Sequence, residues 1–350
     1  MEEYRMKTQS KIFALILALA MVFALTACSS SGSQASQPAS EAPASQPAEP
    51  QPTEDQPAAE SYVVGICQLA PHPALDLATQ GFKDALTEAF GDKVSFKEGN
   101  AGGESANCAT IVDGFIAEGV DLILANATSP LQAAASATST IPVLGTSVTD
   151  YATALGIDNW SGTVGGNVSG TSDLAPLDQQ AAILHELFPD AKNVGLLYCS
   201  GEPNSVYQVN VVQGYLEDMG YTCAQYAFTD VNDLPSVTQL ACDESDVIYI
   251  PTDNTAAANT EAIANVVLPA GVPVIAGESG ICSGCGVATL SISYYDIGYI
   301  SGQMAVKVLT GEADISTMPV EYAPEVVKMY NAANCEAMNV TIPDGYQVIE

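Results

Sequence analysis

The stretch VIYIPTDNTAAANTEAIANVVLPAGVPVIAG, residues 247–277, reads as one complete strand–helix–strand unit. Val247 to Ile250 is a continuous apolar run, which a strand covered on both faces requires. The spacing predicts a helix from Ala256 to Leu268, and Pro273 to Ala276 is a second short apolar strand. Two strands joined by a helix form a parallel crossover. At the turn between strand and helix stand Thr252, Asp253, Asn254 and Thr255. Gly or Pro would turn the chain, and a helix N-cap needs only one acceptor. The surplus predicts that some of these four groups face a ligand.

The same alternation extends in both directions. Strands are expected at Tyr62 to Cys67, near Val94 to Phe96, at Leu122 to Ala125 and at Pro142 to Gly145. Helices are expected at Ala74 to Phe90, at Glu104 to Glu118 and just after Ser129. Residues 162–170 then dissolve into Gly, Ser, Thr and Asn, which reads as a flexible connection. Beyond it the pattern restarts with helix Pro176 to Phe188, strand Val194 to Tyr198, helix Ser205 to Met219, strand Thr222 to Phe228 and a helix near Leu234 to Ala241. Helix Ile297 to Leu309 completes the count, and the remainder shows little periodicity. The class is α/β: two similar Rossmann-like lobes with parallel sheets and a hinge.

The ends speak to location. Arg5, Lys7 and Lys11 precede an apolar run from Ile12 to Leu25, too short for the roughly 20 residues of a membrane span. This is the layout of a secretory signal. Leu25-Thr26-Ala27-Cys28 resembles the bacterial lipoprotein signal, which implies a signal peptide over residues 1–28 and a lipid-bearing Cys28. The alternative is a plain signal in which Cys28 is incidental. Residues 29–60 are Ser, Ala, Gln, Pro, Glu and Gly almost throughout, a composition that cannot bury a core and suits a disordered tether. The expected location is the extracytoplasmic face of the cell membrane.

From Ser61 onward there are six Lys and no Arg, and the whole chain carries a formal charge of −32. Nucleic acid is excluded as a partner on electrostatic grounds. Of the nine cysteines, Cys67, Cys108, Cys199, Cys223, Cys242 and Cys335 lie in apolar stretches as small core residues. Cys282-Ser-Gly-Cys285 has no second Cys or His pair to complete a zinc site, so no metal is expected. It is read as part of a Gly-rich connection rather than a helix opening after a strand, which disfavours a thioredoxin-type redox role. Free thiols are expected, with a local disulfide as the alternative.

Open parallel sheets bind ligands beyond the carboxyl ends of their strands. Those positions carry Gln68 and His72, then Asn126, Thr128 and Ser129, then Thr146 and Ser147. In the second half they carry Ser200, Glu202, Asn204 and Ser205, then Thr252 to Thr255, then Glu278 and Ser279. Capping explains any one cluster, and helix N-termini are also anion sites. There is no G-x-S-x-G, no G-x-G-x-x-G after a strand and no P-loop, so neither a serine hydrolase nor a nucleotide cofactor is indicated. Two lobes with facing polar edges can instead close on a small molecule. Without Arg, a ligand carboxylate must rest on N–H groups and hydroxyls, while an amine would pair with Asp253, Glu278 or Asp173. A zwitterion such as an amino acid fits. An exported enzyme using His72 with Asp76 or Asp253 is the alternative from another class.

Gln68 with His72-Pro73-Ala74-Leu75-Asp76, Ser172-Asp173, Glu202-x-Asn204-Ser205, Pro251-Thr252-Asp253-Asn254-Thr255 and Tyr294-Tyr295-Asp296 carry a resemblance over residues 62–343. They resemble the ABC-transporter substrate-binding family of tryptophan- and tyrosine-type receptors, with the type I periplasmic-binding-protein fold. The resemblance implies three crossings, near Thr171, Tyr294 and Met318. It divides the chain into a first lobe of residues 61–170 with 295–318 and a second of 171–294 with 319–350. It implies that Gln68, His72, Thr128, Ser172, Asp173, Asn204, Ser205, Thr252, Asp253, Asn254 and Asp296 line or support the cleft, beside Glu202 and Glu278. It implies an aromatic amino acid as ligand, an ABC permease and ATPase as partners, no cofactor and no catalysis. A receptor of the same fold for a sugar-like or peptide-like solute is the alternative. Pro71 and Glu278 depart from the family pattern, and residues 156–166, with Trp160, look like an insertion.

Overall fold

The computed structural model describes residues 61–349; Cys28 and the tether lie outside them. In chain order the strands are β1 (Tyr62–Gln68), β2 (Val94–Asn100), β3 (Leu122–Asn126), β4 (Val143–Val148), β5 (Val168–Ser172), β6 (Asn193–Cys199), β7 (Thr222–Phe228), β8 (Val247–Ile250), β9 (Val274–Ala276), β10 (Ala288–Ile292), β11 (Glu321–Tyr322), β12 (Val326–Tyr330) and β13 (Gln347–Val348). They form a six-stranded sheet in the order β11-β5-β4-β3-β1-β2 and a seven-stranded sheet in the order β13-β12-β10-β9-β8-β6-β7. Every pairing between these strands is parallel except β10 with β12.

The apolar runs are continuous because both faces of each sheet are covered. Along β3, Leu122 and Leu124 pack with Phe82 and Leu86, while Ile123 and Ala125 pack with Val112 and Leu131 on the opposite side. Along β8, Ile248 and Ile250 join the cluster around Phe228 and Leu234, and Val247 and Tyr249 join the one around Leu184 and Val212. Side chains alternate across a strand, so a strand between two helical layers must be apolar at every position.

The chain passes between the sheets three times. After β5 it runs through residues 173–176 to helix Leu177–Leu187, and after β10 it returns through Ser293 to helix Tyr294–Leu309. That helix docks against helix Pro73–Phe90 at very short range. A Cβ on Gly298 would lie 2.0 Å from the Ala78 carbonyl oxygen, and one on Gly81 would lie 2.2 Å from that of Tyr295. The third passage is at residues 323–325, because Glu321 and Tyr322 still pair with Thr171 and Ser172 in the first sheet. The sheet pairing therefore runs a few residues past the expected boundaries at 170 and 318.

Three sequence expectations need amending. Residues 162–170 are not wholly a flexible connection, since Val168 onward forms β5, buried throughout between β4 and β11. Its polar side chains are held: Ser169 Oγ donates to the Met318 carbonyl at 3.1 Å, and Thr171 Oγ1 donates to the Ile297 carbonyl at 3.1 Å and shares a hydrogen bond with Thr146 Oγ1 at 3.0 Å. The patternless tail contains two strands of the second sheet and helix Ala332–Met338. Cys282 sits in a short helix, Ser279–Gly284, shortly after β9, rather than in an irregular connection. All eight cysteines among the described residues are free, and burial raises the Cys282 and Cys285 thiols well above their ordinary range.

The segment 156–166 is tied down at both ends of its reach. Trp160 stacks on Tyr151 with ring centroids 6.4 Å apart, and the Tyr151 hydroxyl donates to the Thr171 carbonyl at 3.0 Å. Val320 N donates to the Gly162 carbonyl at 2.8 Å. Among the described residues no helix is long and apolar enough to cross a membrane.

Candidate functional site

The polar strand ends of the two sheets meet along one seam. On the second-lobe side, Glu202 is 4% exposed and organises the turn after β8. Its Oε2 accepts from Asn254 N at 3.0 Å and Asn254 Nδ2 at 2.7 Å, and its Oε1 accepts from Thr255 N at 2.8 Å and Thr255 Oγ1 at 2.7 Å. Asp253 caps helix Asn254–Ala258 through Ala256 N at 2.8 Å, and its other oxygen accepts from Cys199 N at 2.7 Å. Asn204 Nδ2 donates to the Thr252 carbonyl at 3.0 Å and lies within 3.3 Å of Ser205 Oγ. Glu278 caps helix Ser279–Gly284 through Gly280 N at 2.5 Å and through Ile281 N. The polar surplus of the Thr252–Thr255 turn is thus largely taken up by two acids and a helix start.

On the first-lobe side the arrangement is different. Gln68 is fully engaged within its own lobe, accepting from Thr79 Oγ1 at 2.7 Å and donating to Ala70 O at 2.8 Å and Asp76 Oδ1 at 2.7 Å. Thr128 is buried in the first turn of helix Thr128–Ala137. Five buried side-chain atoms among the described residues have no protein partner, and three of them, His72 Nδ1, Asn126 Oδ1 and Ser147 Oγ, stand just beyond β1, at the end of β3 and at the end of β4. Those three strands are neighbours in the sheet. Backbone strain collects there too: Ala127 has φ 111° and Ser147 φ 54°, values that cost energy for residues with a Cβ and are characteristic of ligand sites.

Side chains also reach across from one lobe to the other. His72 Nε2 lies 3.2 Å from Asn254 Oδ1, and Gln208 Nε2 donates to Thr149 Oγ1 at 3.4 Å. At the first passage, Asp173 accepts from Thr149 Oγ1 and from the Tyr294 hydroxyl, each at 3.0 Å. Ser172 beside it donates to the Thr149 carbonyl at 2.9 Å and accepts from Leu174 N at 3.1 Å. A cavity of about 460 Å³ opens at the β2 and β7 end of the seam. Ala70, Pro71 and Gly102 to Glu104 line it from one lobe, and Thr229 to Asn232, Asn254, Thr255, Ala258 and Asn259 from the other. Its size is within the range of small-molecule pockets.

The electrostatics are one-sided. Asp173, Glu202, Asp253 and Glu278 are all buried, and none takes part in the three ion pairs among the described residues. Burial pushes Asp173 up to about 6 and Glu278 up to about 7. Asp253 is raised as well, by burial first and by the neighbouring Glu202 charge second. Desolvation moves His72 the other way, below its ordinary value. Buried acids without a fixed cation favour a positively charged guest.

Of the residues singled out from sequence, all but Asp296 and the undescribed Cys28 stand at the strand ends that face the seam or in its supporting network. Asp296 is exposed on helix Tyr294–Leu309, where its N–H donates to the Ser293 cap. Thr149 and Gln208 joined the network without being singled out, and Tyr294, named from the resemblance only as motif and crossing, joined it through its hydroxyl. Gln208 lies mid-helix with no local signal in the sequence, whereas Asn126 and Ser147 stand at strand ends the sequence had marked. Among the described residues no cluster of three His, Cys, Asp or Glu side chains is placed to hold a metal.

The family model for ABC transporter substrate binding proteins matches residues 63–348. The chain belongs to that family. A tyrosine-binding protein of Clostridioides difficile is 32% identical over 280 residues, covering 79% of this chain and 81% of the relative. The crystal structure of an ABC domain from Streptococcus pneumoniae in complex with L-Trp superposes with a TM-score of 0.79 at 31% identity, covering 83% of this chain and 100% of that one. A ligand-free, open substrate-binding protein with adhesive properties from Clostridium difficile gives 0.64 at 32% identity, over 83% of this chain and 99% of that one. The family is one of solute receptors rather than enzymes.

Proposed function

We propose that this substrate-binding protein captures an aromatic amino acid between its lobes and delivers it to an ABC importer, held at the outer membrane face by lipid on Cys28. The observation that carries the ligand class is the buried acid set along the seam, with no ion pair to any of its members among the described residues. All the lone pairs of Glu202 are engaged by Asn254 and Thr255. The oxygens of Asp173, Asp253 and Glu278, by contrast, have lone pairs beyond the bonds they accept, so an ammonium can be received there. The ligand carboxylate finds no Arg anywhere beyond residue 60. It rests on backbone N–H groups and hydroxyls at the helix starts, Thr128, Ser205 and Thr252 among them. The names of the relatives, one tyrosine-binding and one crystallised with L-Trp, support an aromatic side chain.

Isothermal titration of the soluble domain with the twenty amino acids tests this reading. Saturable binding of tyrosine, tryptophan or phenylalanine is expected, with a melting shift that grows as RT ln(1 + [L]/Kd). Tight binding of a sugar or peptide with no amino acid bound would replace the ligand assignment. Mass spectrometry of the protein from membranes tests the anchor: a diacylated or triacylated N-terminal Cys28 is expected, and an unmodified chain would remove it.

A further inference from the structure

We infer that His72 Nδ1 accepts a hydrogen bond from an N–H or O–H donor of the ligand, and that lobe closure holds the ring ready to do so. This rests on the amino-acid reading and adds a specificity-determining atom to it. The argument starts at Asn254, whose amide orientation is fixed from the second lobe. Its Nδ2 donates to Glu202 Oε2 at 2.7 Å, so the other end of the amide, 3.2 Å from His72 Nε2, is the acceptor oxygen. Only a protonated Nε2 can bond there. A neutral imidazole with its proton on Nε2 presents a lone pair at Nδ1.

That lone pair has nowhere to go within the protein. His72 is 6% exposed and its Nδ1 has no protein partner. A buried acceptor left bare carries a desolvation cost that native folds rarely tolerate without use. His72 also stands at the N-cap of helix Pro73–Phe90 without capping it, in extended backbone between Pro71 and Pro73. The chain thus sets the ring rigidly and spends it on no local bond. Burial keeps the imidazole neutral, consistent with its depressed pKa. Asn126 Oδ1 and Ser147 Oγ, also without partners, sit on the next strand ends of the same rim. Because Asn254 belongs to the other lobe, the bond that fixes the tautomer exists only when the lobes are together.

On an amino acid the donor is either the ammonium or a ring group, a phenol O–H or an indole N–H. Titration of wild type and His72→Leu with L-tyrosine, L-phenylalanine and 3-(4-hydroxyphenyl)propionate separates the two. Wild type is expected to prefer the ligand bearing the relevant donor by about tenfold or more, and His72→Leu to bring the two members of that pair close to equality. Collapse of the tyrosine–phenylalanine difference assigns the ring donor; collapse of the tyrosine–propionate difference assigns the ammonium. A uniform loss across all three ligands, or no loss, overturns the inference. Should His72→Leu fail to fold, the imidazole ¹⁵N shifts of labelled wild type decide. A protonated Nε2 with an Nδ1 resonance that moves on adding ligand supports it, and a protonated or unmoved Nδ1 overturns it. Absence of binding by wild type to any aromatic amino acid overturns the functional reading itself, and the inference with it.

Discussion

Glu202 and Thr255 are joined twice: one carboxylate oxygen accepts both the backbone N–H of Thr255 at 2.8 Å and its hydroxyl at 2.7 Å. The other oxygen does the same for the N–H and side-chain amide of Asn254. One acid from the end of β6 therefore sets the whole turn after β8. Removing it leaves several buried donors bare. Glu202→Ala is expected to cost about 2–4 kcal/mol of stability, read as a lower midpoint in urea unfolding. An unchanged midpoint would show that the turn holds itself.

Asp253 has both oxygens occupied by backbone donors, Ala256 N and Cys199 N. Loss of the cap alone is worth about 1 kcal/mol, and Cys199 N would be left buried. Asp253→Ala is thus expected to lower the melting temperature of the unliganded protein as well as any ligand-induced shift. A variant that melts like wild type yet binds nothing would instead make Asp253 a direct ligand contact.

The contact between helices Pro73–Phe90 and Tyr294–Leu309 depends on missing side chains. Gly298→Ala drives a methyl against the Ala78 backbone and is expected to destabilise by about 1–3 kcal/mol. Gly114→Ala makes the control: it lies inside helix Ser105–Glu118 with open space around its Cβ position. That change is expected to stabilise by about 0.5–1 kcal/mol. Thermal melts of the two variants should move in opposite directions.

The raised acids give stability a definite pH slope. In the unfolded chain Asp173 and Glu278 return to 3.8 and 4.5, whereas the fold holds them up near 6 and 7. A raised acid contributes stability fully below its unfolded value and loses it as pH climbs through the folded one. His72 works oppositely and begins to subtract only below 6.5, its unfolded value. Unliganded protein should therefore melt higher at pH 6.5 than at pH 8, and Glu278→Gln should flatten the slope. An increase in melting temperature from pH 6.5 to 8 would contradict the assignment.

The two-lobed alternation was legible because doubly covered strands must be apolar at every position, and Val247–Ile250 or Leu122–Ala125 announce that directly. β5 was not, because Val-Ser-Gly-Thr-Ser has the composition of a loop. Its hydroxyls are acceptable inside only because Met318, Thr146 and Ile297 receive them, and such distant partners leave no local trace. The polar strand ends were legible as clusters. Which groups are consumed internally, as with Gln68, and which are left bare, as with His72 Nδ1, depends on contacts between residues far apart in sequence.

Trp160 is the chain's sole indole, and it leans on the tyrosine whose hydroxyl donates to Thr171 in β5, the strand that leads into the first passage between the sheets. The molecule consequently carries its own optical gauge. Any rearrangement that alters the Tyr151–Thr171 contact changes the surroundings of a single fluorophore, so emission from unlabelled protein reports on the strand that leads into the first passage.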